Sequence, residues 1–287
     1  MRIVTLFPAA TEIVAALGAA GRLVGISHEC DWPPEVRGLP RVTRSAVDAS
    51  LPSAEIDRAM AAAQRAGVSP VTIDRALLTR LAPDLVIGQS VCAVCAVDVG
   101  AQHAAPLLAG LPGPPRVVDL HAHDVAGVWA DIMKVGAALD LSAEAEEVVA
   151  GLRYRLGRVG AQYAAPPHDR PRVLVIEWVD PPYVAGHWVP ELIAAAGGVD
   201  VAARPGDRSV TRPWRELRGL AAAVVVVALC GFDVPRARRE VAAVTDPDAR
   251  ALLASARVVF LDGNAYTSRP GPRLVEAAEL LAQLIGG

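Results

Sequence analysis

Short apolar runs alternate along the chain with alanine-rich segments that carry the amphipathic spacing of helices. The runs are nearly continuous in Val, Ile and Leu, which is typical of strands covered by helices on both faces of a parallel sheet. The predicted strands are residues 2–6, 22–27, 84–88, 116–120, 172–178, 223–230 and 257–262. This alternation of strand and helix predicts an α/β fold with mainly parallel sheets.

The two halves of the sequence contain similar segments. "LFPAATEIVAALG" (6–18) follows the first strand of the first half, and "GHWVPELIAAAGG" (186–198) follows the first strand of the second half. Between the halves, Ser142 is a suitable N-cap and acidic residues follow it, which predicts one long helix over 141–164. The sequence therefore predicts two Rossmann-like lobes, 1–140 and 165–287, joined by a rigid helix and enclosing a ligand cleft.

Composition and charge exclude some classes of function. The chain has 287 residues with 28 basic and 31 acidic side chains and no basic stripe, so nucleic acid is not an expected partner. The longest apolar run, residues 220–230, is too short to span a bilayer. The beginning "MRIVTLFPAATEIV" lacks the apolar core of a signal peptide, which predicts a cytoplasmic location with mostly reduced thiols.

Candidate ligand-binding groups follow the predicted strands, where open parallel sheets bind their ligands. They comprise all four cysteines, two histidines and several aromatic residues: Cys30, Cys92, Cys95, Cys230, His28, His187, Trp32, Trp188 and Tyr266. The sequence contains no phosphate loop, dinucleotide fingerprint, nucleophile elbow or metalloprotease motif. This pattern favours a non-enzymatic binding protein.

Several segments together resemble one family. "LFPAATEIVAALG", "LVGISHECDWPPEV", "LAPDLVIGQ", "AGHWVPELIAAAGG" and "SRPGPRL" are similar, in this order, to the cobalamin-binding members of the helix-linked substrate-binding proteins of ABC importers. The resemblance implies two α/β lobes and cobalamin held in the cleft. It also implies that the ligand is contacted by Trp32, by Trp178 and Tyr183, and by Tyr266 and Arg269. Trp188 is a further candidate for ligand contact because it follows a predicted strand. Aromatic rings suit the apolar faces of a corrin.

The permease partner of such proteins docks through an acidic residue on each lobe. By this resemblance Glu216 is the candidate in the second lobe, and Asp98 is the candidate that the first lobe offers.

The cysteines leave an alternative open. Cys92 and Cys95 have the spacing used by zinc sites, iron–sulfur clusters and redox dithiols. With Cys30, Cys230 and His28 they would form a site for zinc or a cluster. A thiol contact to cobalt, His28 as an axial cobalt ligand, and simple burial of small side chains are the other interpretations.

Overall fold

The predicted α/β class is confirmed by the computed structural model, which describes residues 1–90, 113, 115–164, 166 and 168–286. Contacts divide the chain into two compact units. The first comprises Met1–Leu51, Arg58–Ala122 and Gly127–Val149, and the second comprises Pro52–Asp57, His123–Ala126 and Ala150–Gly287. The assignment of 1–140 and 165–287 as separate domains with 141–164 as the link stays a prediction.

The first unit is built on a parallel sheet with strand order β2-β1-β5-β6. A separate antiparallel pair is formed by β3 and β4. The strands are β1 (Ile3–Thr5), β2 (Leu23–Gly25), β3 (Thr43–Ser45), β4 (Val71–Ile73), β5 (Leu85–Gln89) and β6 (Arg116–Leu120). The helices that begin in this part of the chain are α1 (Pro8–Ala16), α2 (Ser53–Arg65), α3 (Arg75–Leu81), α4 (Val125–Ala138) and α5 (Ser142–Gln162), with 3-10 turns at Ala20–Arg22 and Pro34–Gly38.

The second unit has a mixed sheet with strand order β10-β8-β7-β11-β12, and β9 pairs with β7. The strands are β7 (Arg172–Val179), β8 (Pro182–Val184), β9 (Val199–Asp200), β10 (Val210–Thr211), β11 (Val224–Val227) and β12 (Arg257–Phe260). The helices are α6 (Val189–Ala195), α7 (Trp214–Gly219), α8 (Val234–Ala243), α9 (Pro247–Ser255) and α10 (Leu274–Gly286), with a π-helix at Gly263–Thr267. Strands β7, β11 and β12 are parallel, whereas β8 is antiparallel to β7 and β10.

The core of each unit is made by its central strands. Val4 and Val86 meet in the first unit, and Leu174, Val225 and Val227 meet in the second. The four valines of β11 are all buried, as expected for a strand paired on both sides and covered on both faces. In the described part of the chain, no helix combines the length and the apolar character needed to cross a membrane.

Candidate ligand-binding site

In the first unit, a loop with several candidate groups follows the carboxyl end of β2. Trp32 lies in this loop and is 41% exposed. Two arginines hold the loop in place: Arg37 Nε donates to the carbonyl oxygen of Asp31 at 2.8 Å, and Arg41 Nη1 donates to the carbonyl oxygens of Ser27 and Cys30. Trp32 is therefore an exposed ring on a backbone that is anchored by charge-assisted hydrogen bonds.

His28 is half-buried at the start of the same loop. Its backbone N–H donates to Thr43 Oγ1 at 2.9 Å, and its ring Nδ1 lies 2.7 Å from the same oxygen. Burial lowers the pKa of the imidazole, and the positive charge of Arg41 lowers this pKa further. The ring is consequently neutral at neutral pH.

Cys30 turns its thiol into the interior of the first unit. The side chain is 1% exposed, and its Sγ lies 3.0 Å from Thr11 Oγ1. Thr11 in turn shares a 2.6 Å hydrogen bond with Thr5. This buried chain of hydroxyl and thiol groups links β1, α1 and the loop, so the thiol has a structural contact of its own.

The other candidate metal ligands are only partly covered by the structure. Cys230 follows β11, is half-buried, and donates its backbone N–H to the carbonyl oxygen of Glu177 at 2.9 Å. Cys92, Cys95 and Asp98 lie outside the described residues. Among the residues that the structure describes, no group of three or more His, Cys, Asp or Glu side chains is placed to hold a metal ion.

In the second unit, Trp178 and Tyr183 face each other across the β7–β8 hairpin. Both are half-buried, and the Trp178 ring packs against Phe232 with ring centroids 5.0 Å apart. Tyr183 hydrogen bonds to Asp57, whose pKa is raised by burial and by the nearby carboxylate of Asp180, while the Tyr183 hydroxyl opposes that rise. The hairpin thus binds the first turn of α2, which explains why Pro52–Asp57 group with this unit.

Trp188, Tyr266 and Arg269 meet around the π-helix that follows β12. Trp188 is 7% exposed, and its Nε1 donates to the carbonyl oxygen of Thr267 at 2.8 Å. Arg269 is 2% exposed and donates from Nη2 to Asn264 Oδ1 at 3.0 Å. Tyr266 is half-buried, with the Arg273 guanidinium 4.7 Å from its ring centroid. Trp188 and Arg269 therefore contact the inner side of the segment that carries Tyr266.

This segment needs glycine at its first position. A Cβ on Gly263 would lie 2.2 Å from the carbonyl oxygen of Leu229, far inside contact distance. Asp262 caps the turn by accepting a hydrogen bond from the N–H of Ala265 at 2.7 Å. Backbone packing and a cap thus fix the position of Tyr266.

The histidine pair made by His123 and His187 was missed as a pair by sequence reasoning. The two rings are 17° from parallel with centroids 5.8 Å apart, and His187 also contacts Trp188. Burial, His123 and Arg208 lower the pKa of His187. The two histidines are 64 positions apart in the sequence, and although each follows a predicted strand, nothing local indicates that they pair.

Comparison with known proteins gives a consistent result. A family model described as "Periplasmic binding protein" matches residues 3–239. The periplasmic vitamin B12 binding protein BtuF of Vibrio cholerae is similar in structure, with a TM-score of 0.67 and 21% identity over 99% of this chain and 96% of the other. The periplasmic heme-binding protein RhuT from Roseiflexus sp. RS-1 has a TM-score of 0.70 and 22% identity over 99% and 97%.

A third similar structure is that of an ABC-type Fe3+-hydroxamate transport system from Saccharomonospora viridis, with a TM-score of 0.65 and 21% identity over 100% of this chain and 93% of the other. The comparison with curated proteins gave no significant match. At these identities the solved structures establish the two-lobed fold, whereas the ligands named for these proteins differ: vitamin B12, heme and Fe3+-hydroxamate.

The expected cytoplasmic location is wrong, because the matching family and its structural neighbours are periplasmic solute-binding proteins. The prediction relied on the first residues of the chain, and those residues do not decide the compartment. Proteins of this kind bind small molecules and deliver them to ABC permeases. The resemblance inferred from the motifs is confirmed, and the chain belongs to the Periplasmic binding protein family.

Proposed function

We propose that this protein binds cobalamin or a related corrinoid and passes it to an ABC permease. The proposal rests on the exposure of Trp32. This large apolar side chain is 41% exposed, and it lies on a loop whose backbone accepts hydrogen bonds from Arg37 and Arg41. An exposed indole held in one position suits a flat ligand, because little conformational entropy is lost when the ligand covers it.

Aromatic residues of the second unit supply further contacts in this proposal. Trp178, Tyr183 and Tyr266 are half-buried, so each keeps part of its ring accessible. Trp188 and Arg269 are buried, and we assign them to the same site as the groups that hold the Tyr266 segment in place. Rings for the faces of the macrocycle and a few polar groups for its edge fit the usual composition of a ligand site.

Charge favours a corrinoid over heme. Carboxylates neighbour the aromatic candidates in sequence: Glu29 and Asp31 precede Trp32, and Glu177 and Asp180 flank Trp178. Carboxylates at the edge of the proposed site would repel the propionates of heme, whereas the periphery of a corrin carries uncharged amides.

Three arginines that neighbour the candidate residues are engaged with protein groups. Arg41 donates to backbone carbonyl oxygens, Arg269 donates to Asn264, and Arg273 lies against Tyr266 and Glu276. Each of these guanidinium groups already has a protein contact, which makes it less available to a propionate and supports an uncharged ligand.

We assign the contact with the permease in the second unit to Glu216. This side chain is exposed on α7, between Arg215 and the pair that Arg218 forms with Asp248 at 3.0 Å. A single exposed carboxylate on a short helix suits recognition by a basic group of a partner. We propose the same role for Asp98, which lies outside the described residues.

The experiment is a titration of the protein with cyanocobalamin and, separately, with hemin, monitored by tryptophan emission and by calorimetry. We expect cyanocobalamin to bind with one site per chain and hemin to bind at least about tenfold more weakly, a difference of about 1.4 kcal/mol. Tighter binding of hemin would overturn the corrinoid assignment. The absorption spectrum of the purified protein tests the cysteine alternative, because an iron–sulfur cluster gives visible bands that bleach on reduction.

A further inference from the structure

Thr43 makes two contacts with the same histidine. Its Oγ1 accepts the backbone N–H of His28 at 2.9 Å and lies 2.7 Å from the ring Nδ1. Thr43 is 0% exposed, so water cannot satisfy its hydroxyl group. The hydroxyl hydrogen therefore needs a protein acceptor.

The number of hydrogen atoms in this contact shows whether Thr43 Oγ1 or His28 Nδ1 is the donor. Among the described residues, the contacts of this hydroxyl are the two with His28, and the backbone N–H is already a donor. If Nδ1 also carried a hydrogen, the buried hydroxyl hydrogen would have no acceptor, which is costly. The Thr43 hydroxyl consequently donates to Nδ1, and the neutral ring carries its hydrogen on Nε2.

The second ring nitrogen remains available. In the described part of the chain, Nε2 of His28 has no protein hydrogen-bond partner, and it is not among the polar atoms that are buried without one, so it reaches solvent. His28 follows the carboxyl end of β2 and is four residues before Trp32, on the loop that Arg41 anchors. A fixed N–H donor therefore lies on the same loop as the exposed indole.

We propose that His28 is a specificity-determining residue whose Nε2–H donates a hydrogen bond to an amide carbonyl oxygen of the bound corrinoid. The inference rests on the proposed function, and it names the ligand group that this residue recognises. It also opposes the two metal roles considered for His28. A metal on Nε2 would require the hydrogen to move to Nδ1, and the buried Thr43 hydroxyl would then lose its acceptor.

The tautomer is tested first, on the free protein. Long-range proton–nitrogen correlation NMR at neutral pH is expected to show His28 with an unprotonated Nδ1 and a protonated Nε2. Thr43→Val removes the hydroxyl donor and is expected to populate the other tautomer. A wild-type ring protonated on Nδ1 would overturn the proposal before any ligand is added.

The donor role is tested by binding of cyanocobalamin. His28→Phe is expected to weaken binding about tenfold, the usual effect of one lost hydrogen bond. His28→Gln places an amide N–H near the position of Nε2 and is expected to restore affinity to within about threefold of wild type, whereas a purely structural histidine would not be rescued in this way. His168→Gln changes an exposed histidine paired with Asp169 and serves as the matched control, with no expected effect.

The outcomes separate the two claims. Wild-type binding that His28→Phe leaves unchanged would overturn the donor role and leave the proposed function in place. Failure of wild type to bind cyanocobalamin would overturn the proposed function, and the donor role with it, whatever tautomer NMR finds.

Discussion

The indole of Trp188 donates a 2.8 Å hydrogen bond from Nε1 to the backbone carbonyl oxygen of Thr267, a residue 79 positions further along the chain. This bond connects the start of α6 with the π-helix of residues Gly263–Thr267. It is buried, so its loss cannot be compensated by water. The position of Tyr266 therefore depends on a side chain that sequence reasoning assigned to direct ligand contact.

Replacing Trp188 by Phe tests this dependence. The variant loses the donor and part of the buried volume, and we expect the free energy of unfolding to fall by about 2 kcal/mol. Urea denaturation measures this effect. Trp129→Phe, a buried tryptophan of the first unit, is the control for general loss of volume. We also expect cyanocobalamin affinity to fall for Trp188→Phe alone, and equal affinities of the two variants would contradict the proposed support of Tyr266.

Replacing Trp32 by Ala separates binding from stability. Because 41% of the residue is exposed, the free energy of unfolding should fall by less than the about 3–5 kcal/mol typical of a fully buried tryptophan. Binding of cyanocobalamin should weaken by roughly 1–3 kcal/mol if the indole covers an apolar face of the ligand. The matched control is Tyr154→Ala, an aromatic residue that is 67% exposed on α5. Unchanged affinity in the Trp32 variant would remove this residue from the proposed site.

The raised pKa of Asp200 predicts that the free energy of unfolding depends on pH. Burial raises its pKa from 3.8 to about 6, although Oδ1 accepts hydrogen bonds from the N–H groups of Ala202 and Ala203. Between these pH values the folded state therefore binds more protons than the unfolded state. The contribution of the protonated Asp200 to the free energy of unfolding is present in full below about pH 4, and it is lost as the pH rises to about 6. We expect Asp200→Asn to raise the free energy of unfolding at pH 7.5 by about 1–2 kcal/mol.

The comparison across pH provides the control for this variant. The advantage of Asp200→Asn over wild type should shrink when the same denaturation is repeated at pH 4, because the wild-type carboxyl is then largely neutral. A constant difference between the two proteins at all pH values would show that Asp200 does not titrate as described.

Cys30 distinguishes a structural thiol from a metal ligand. Cys30→Ala removes the contact with Thr11 and leaves a small cavity, so we expect a loss of about 1–2 kcal/mol in the free energy of unfolding. Cys30→Ser keeps a polar group toward Thr11 and should lose less. Metal content, measured by mass spectrometry on protein purified without oxygen, should be the same in both variants and in wild type. A loss of bound zinc or iron in both variants would support the alternative site.

Much of the fold could be predicted because its signals are local. The run of valines at Val224–Val227 predicts a buried strand from composition alone, and Ser142 with the acidic residues after it predicts the beginning of α5. Strands β8, β9 and β10 could not be predicted in this way. They have two or three residues each, and they exist because a partner strand pairs with them.

The sequence by itself determined the class of fold and the segments where the candidate residues lie, since hydrophobic periodicity and turn residues act over a few positions. Only the tertiary structure decided what each side chain does there. Cys30 contacts Thr11 rather than solvent, the Nε1 of Trp188 donates to the carbonyl oxygen of Thr267, and the Nδ1 of His28 is occupied by Thr43. Burial and hydrogen-bond partners are set by residues distant in sequence, and these partners determine whether a polar group stabilises its own unit or remains available to a ligand.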